Sequence, residues 1–247
     1  MNSALRRAPV EPLGDAVHMR IVCITDLHGD PAPLERILAD AGQADVVLLG
    51  GDITSFGTPN AAEFLVQRVQ QHCPTVLAVA GNCDSQAIDE RLASLGVSLF
   101  GRGVMHQQAG FYGASAMPPW TGTMYELSED KIAGALWTGR AQLTQPRWEI
   151  VLSHSPPRGT LLDRTRRGEH VGSHAVRQFI EQVQPALLLC GHIHESRGLD
   201  RLGATTLVNC GPAFAGQYAV AELDTEVRVE LRDVGSAECS GPGELII

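Results

Sequence analysis

The stretch TVLAVAGNCD, Thr75 to Asp84, joins a mostly apolar run to a loop that opens at Gly81. Its first six residues read as a buried strand. Its last residues put an amide (Asn82), a thiol (Cys83) and a carboxylate (Asp84) at the strand's mouth. The same construction recurs along the chain. RIVCIT (20–25) runs into DLHGD, with Asp26 and His28; ADVVLLG (44–50) runs into Gly51-Asp52. EIVLS (149–153) ends at His154, and ALLLC (186–190) ends in GHIH, with His192 and His194. Between these strands lie segments of helical period: PAPLERILADAG (31–42), with two prolines at its entrance, residues 60–73, and SHAVRQFIEQVQ (173–184). Strand and helix alternate, which predicts an α/β fold with a parallel core sheet. The C-terminal run TTLVN, QYAVAEL and VRVELRDV has no helix between its strands, and a hairpin is expected near 97–115; these predict a second sheet.

Composition bounds the rest. The 247 residues suffice for one large domain or two small ones, and a hydrophobic fraction of 44% predicts a folded core. The formal charge of −9 argues against a general nucleic-acid partner, which needs a basic face. The six cysteines are scattered with no C-x-x-C pair, the pattern of a reduced, cytoplasmic chain. No run of about 20 apolar residues is present, so no membrane span is expected. The expected organisation is an N-terminal tail over 1–18, one domain over 19–233 and a loose tail over 234–247. The tail over 1–18 has two readings, a flexible extension or a segment upstream of a start at Met19. Oligomeric state is not legible.

The polar residues at the strand ends carry the chemistry. A lone Asp after a strand is more often a helix cap or a turn former. A lone His is more often a satisfied surface or core residue. Here five loops at one sheet edge present Asp26, His28, Asp52, Asn82, His154, His192 and His194 together. The carboxyl ends of strands form the binding edge of an open α/β sheet. A convergence of carboxylates and imidazoles predicts metal. The set is too large for one tetrahedral ion and fits two ions sharing a carboxylate. Two ions roughly 3.5–4 Å apart are the usual arrangement for attack on phosphorus, where they activate a bridging hydroxide and neutralise phosphoryl oxygens.

In order, D26-L-H28, G51-D52, G81-N82, His154 and G191-H192-I-H194 resemble the five-block signature of the calcineurin-like metallophosphoesterases. The run from Ser153 to Ile180, with CGHIHESRG after it, further resembles the small prokaryotic Icc-like branch. The resemblance implies a four-layer αββα sandwich of two mixed β-sheets flanked by helices. It implies Asp26, His28 and His194 on a first metal, Asn82, His154 and His192 on a second, and Asp52 bridging. The ions would be divalent, with Mn, Fe, Zn and Mg all compatible. The catalytic set on this reading is Asp52, Asn82, Cys83, Asp84 and His154. Many relatives carry histidine where Cys83 stands, as an acid for the leaving group. A thiol is a poorer match near neutral pH. Asp84 suits orienting a neighbour better than donating a proton.

Arg158, Arg164, Arg166 and Arg167 follow His154 closely. They read either as phosphate-binding forks or as a solvated loop. His170 is a further substrate-binding candidate, and the N–H groups opening the helix at 173 could face an anion. The expected activity is hydrolysis of a small phosphoester, a diester before a monoester. Alternatives are a nucleotide or protein phosphatase on the same site, or a non-catalytic scaffold with this fold.

Overall fold

The computed structural model describes residues 18–235; of the expected tails over 1–18 and 234–247, residues 1–17 and 236–247 lie outside the described residues. Two mixed sheets face each other with helices outside. The first has the order β11-β10-β1-β2-β3, with β1 (Met19–Ile24), β2 (Val46–Gly50), β3 (Val76–Val79), β10 (Gln217–Leu223) and β11 (Val227–Asp233). Its β1, β2 and β3 run parallel, and β10 and β11 add antiparallel at the edge. The second has the order β4-β5-β6-β7-β9-β8, with β4 (Val104–His106), β5 (Ala109–Ala114), β6 (Trp148–Ser153), β7 (Leu187–Cys190), β8 (Gly198–Leu202) and β9 (Thr205–Asn209). There β5, β6, β7 and β9 are parallel and the two edge strands antiparallel.

Three apolar layers hold this arrangement. Alternate residues of β1 serve two of them: Ile21 and Cys23 face Ile150, Leu152 and Leu187 of the second sheet. Val22 and Ile24 face α1 (Pro31–Ala41), α2 (Pro59–His72) and α3 (Gln86–Ser94). On the far side, Tyr112, Val151 and Leu188 pack on α4 (Glu129–Arg140) and α5 (His174–Val183) through Leu136, Phe179 and Ile180. Strands buried on both faces read as unbroken apolar runs, which is why these segments stand out in the sequence. Among the described residues, no helix is long and apolar enough to cross a membrane.

The single parallel core sheet expected from the alternation is divided: β1–β3 lie in one sheet and β5–β7 in the other. The C-terminal strands are shared between both, not set apart as a second sheet. An apolar run reports burial on both faces and not which strand it pairs with. The hairpin expected near 97–115 is β4–β5. Helices α3 and α4 were not expected, although Ser85 and Ser128 cap them through their side chains.

Candidate metal centre

The carboxyl ends of both sheets open onto one edge, so the strand-end residues come from two sheets and not from one. Four of them, Asp26, His28, Asp52 and His192, have φ between 48° and 68°. Non-glycine residues rarely adopt this left-handed backbone, and it concentrates where side-chain aim matters. The glycine before Asn82 answers a different need. A Cβ on Gly81 would overlap the Asp52 carboxylate, and one on Gly191 would overlap that of Asp26. The Gly-Asn and Gly-His pairs thus let one loop close onto the carboxylate of another.

Asp26 is fully buried and lies 3.4 Å from Nε2 of His194; the His192 N–H donates to both its oxygens at 3.2 and 3.1 Å. Burial opposes its ionisation, yet the hydrogen bond from His194 and the nearness of His154 hold its carboxyl below the usual range. Asp52 turns Oδ1 toward Nε2 of His154 at 3.5 Å and Oδ2 toward Nε2 of His28 at 3.8 Å. Its Oδ1 also accepts the Cys83 N–H at 2.7 Å. Desolvation, then the neighbouring His154, pushes His192 down to about 3, which leaves a neutral imidazole.

The donor chemistry fits a cation. Nδ1 of His154 is 2.9 Å from the Gly50 carbonyl, an acceptor that holds a proton on Nδ1 and makes Nε2 the nitrogen that can bind a cation. Nε2 lies 2.8 Å from Oδ1 of Asn82. The Asn82 amide is oriented by its other end, whose Nδ2 is 3.3 Å from the sulfurs of Cys83 and Met124. A buried imidazole nitrogen and an amide oxygen this close together suit a shared positive ion. Ligand atoms of Asp26, His28 and His194 lie within 4.8 Å of one another, as do those of Asp26, Asp52 and His154. Oxygen and imidazole donors suit Mn, Fe, Zn or Mg.

The other candidates separate. Asp84 accepts from Ile53 N, Thr54 N, Thr54 Oγ1 and Gly81 N at 2.8–3.1 Å. It ties the Asp52 loop to the Asn82 loop, a geometry that suits the orienting role read for Asp84 from the sequence. Cys83 is half-buried, and its Sγ groups with donors of His28 and Asp52 within 4.8 Å. Burial, then the Asp52 carboxylate, pushes its thiol up, away from an acid useful near neutral pH. Arg158 lines a cavity of about 450 Å³ that opens beside Asn82 and His192. Arg164 and Arg166 line a different one of about 370 Å³ with Glu195 and Arg197. Arg167 lines neither cavity. His170 is paired with the buried Asp163 at 2.7 Å and is on neither wall. The N–H groups opening α5 meet an anion of the chain itself: Glu129 accepts from His174 N and Ala175 N, each at 2.9 Å. Substrate phosphate is therefore not expected there. His174, Met117, Trp120 and Met124 do line the larger cavity; the sequence offered only the bare run MPPWTGTM as a sign of them.

A family model described as calcineurin-like phosphoesterase matches residues 19–196. The uncharacterized protein MJ1162 of Methanocaldococcus jannaschii is 33% identical over 201 residues, covering 79% of this chain and 89% of that one. A "probable cyclic nucleotide phosphodiesterase" of Synechococcus sp. is 29% identical over 251 residues, covering 90% and 91%. Among solved structures, TT1561 of Thermus thermophilus has the same fold at a TM-score of 0.68 and 18% identity, covering 88% of this chain and all of that one. With the family model spanning the strands that carry every one of these donors, the chain belongs to the metal-dependent calcineurin-like phosphoesterases.

Proposed function

We propose that this chain hydrolyses phosphodiesters with two divalent ions. Asp26, His28 and His194 would hold one, Asn82, His154 and His192 the other, and Asp52 would give an oxygen to each. One observation carries the dinuclear reading: the two oxygens of Asp52 face imidazoles from the two different groups, His154 and His28. Bound there, the ions supply an activated water and neutralise phosphoryl charge.

The chain's own residues do the rest. His154 is held by the Gly50 carbonyl with Nε2 aimed inward. Arg158, on the wall of the adjoining cavity, would grip a phosphoryl oxygen and orient the ester. Cys83 stays a neutral thiol and leaves the leaving group without an imidazole acid at this position. The Synechococcus relative's name supports a diester over a monoester.

The test is metal-stripped protein assayed with Mn, Fe, Zn or Mg restored, on bis(4-nitrophenyl) phosphate and on 4-nitrophenyl phosphate. The reading expects no turnover without metal and faster turnover of the diester with it. Metal-loaded protein that cleaves neither ester would favour the scaffold instead.

A further inference from the structure

We infer that the cavity beside the metal centre is a subsite for a flat, apolar group carried by the phosphoester, and that Trp120 sets the preference for it. The inference rests on the hydrolytic reading above and names the substrate class.

At about 450 Å³ the cavity has the size of a small-molecule site and far exceeds what a phosphoryl group needs. It starts at Asn82 and His192, so a phosphoester centred on the metals projects one arm into it. Met117, Pro119, Trp120, Met124 and Ile193 give that arm apolar walls. The one carboxylate on the wall, Glu129, already caps α5 and is not free for a cationic or hydroxyl-rich arm. Arg158 remains for the phosphate.

Trp120 is 64% exposed, an unusual state for an indole beside a polar centre. Its loop is nonetheless held. Glu126 accepts from the N–H groups of Trp120, Thr121 and Gly122 at 2.9–3.1 Å, and Tyr125 N donates to the Asn82 carbonyl at 3.0 Å. The loop presents a flat face whose apolar surface a planar ligand would cover.

Titration calorimetry of metal-loaded protein with phenylphosphonate and methylphosphonate tests this without relying on turnover. The phenyl compound should bind on the order of tenfold tighter. Trp120→Ala and Glu126→Ala should cut that preference to within about twofold with methylphosphonate affinity unchanged, and Trp120→Phe should keep most of it. Equal affinities in the wild type, or an unchanged preference in Trp120→Ala, would overturn the subsite. Equal affinities alongside metal-dependent turnover would remove the subsite and leave the hydrolytic reading standing. A phenyl preference lost in Trp120→Ala, with no ester cleaved, would do the reverse.

Discussion

Nε2 of His154 and Oδ1 of Asn82 lie 2.8 Å apart, and Nδ1 on the other side of the ring lies 2.9 Å from the Gly50 carbonyl. An imidazole nitrogen without a proton and an amide oxygen are both metal donors, and at this spacing one cation can take both. Ligands that bind only the folded chain raise its melting temperature by mass action. Added Mn or Zn should therefore raise Tm of metal-stripped protein, and Asn82→Ala should reduce the rise. A thermal scan that shows the same Tm with and without metal would contradict the cation reading of this pair.

Asp84 is 5% exposed and satisfies three backbone N–H groups and one hydroxyl across two ligand loops. Removing the acceptor strands buried donors, each worth about 1–3 kcal/mol. Asp84→Ala should lose on the order of 3 kcal/mol in urea unfolding and weaken metal binding as well. Wild-type stability in that variant would show that the brace is not needed.

Asp89, on α3, is buried with Oδ1 accepting from Ser115 and Oδ2 from Tyr125, each at 3.0 Å. Burial pushes its carboxyl up to about 6, against those hydrogen bonds. A carboxyl raised above its unfolded value favours folding while protonated. That gain is full below about pH 4, the unfolded value, and is lost as pH rises through about 6. Wild type should thus lose on the order of 2 kcal/mol between pH 4 and 7 relative to Asp89→Asn, whose stability should lack this component. Parallel stability curves for the two proteins would refute it.

The arginines divide by cavity. Arg158→Ala should raise KM or lower kcat/KM with metal content intact, on the order of tenfold or more for a charged contact to phosphate. Alanine at Arg164, Arg166 or Arg167 should change either constant by less than about threefold, since none of them lines the cavity at the metal centre. A larger loss at Arg166 than at Arg158 would move the phosphate to the other cavity.

Much of the centre was legible because each donor ends a buried strand. The run before Asn82 or His154 is apolar on both faces, and the polar residue after it marks the turn out of the sheet. What the sequence hid were relations between distant segments. The sharing of strands between two sheets depends on pairing partners, such as β1 with β10, which periodicity does not encode. Nothing near Ser173 shows that Glu129, some 44 residues earlier, occupies the N-terminus of α5. Asp84 looks like a loop carboxylate of the same kind as Asp52 until its four donors are in view. The arginines follow His154 closely in sequence, yet the loop turns Arg158 toward one cavity and Arg164 and Arg166 toward another.

Asp52 carries the central claim, because its two oxygens face the two ligand groups. The direct measurement is metal content and turnover of purified Asp52→Asn beside wild type, after loading with Mn and removal of free ion. An amide offers one good acceptor where the carboxylate offers two charged ones. The account predicts about two equivalents in the wild type, loss of at least one in the variant, and a fall in turnover by roughly two orders of magnitude or more. Two equivalents and full turnover in Asp52→Asn would contradict it.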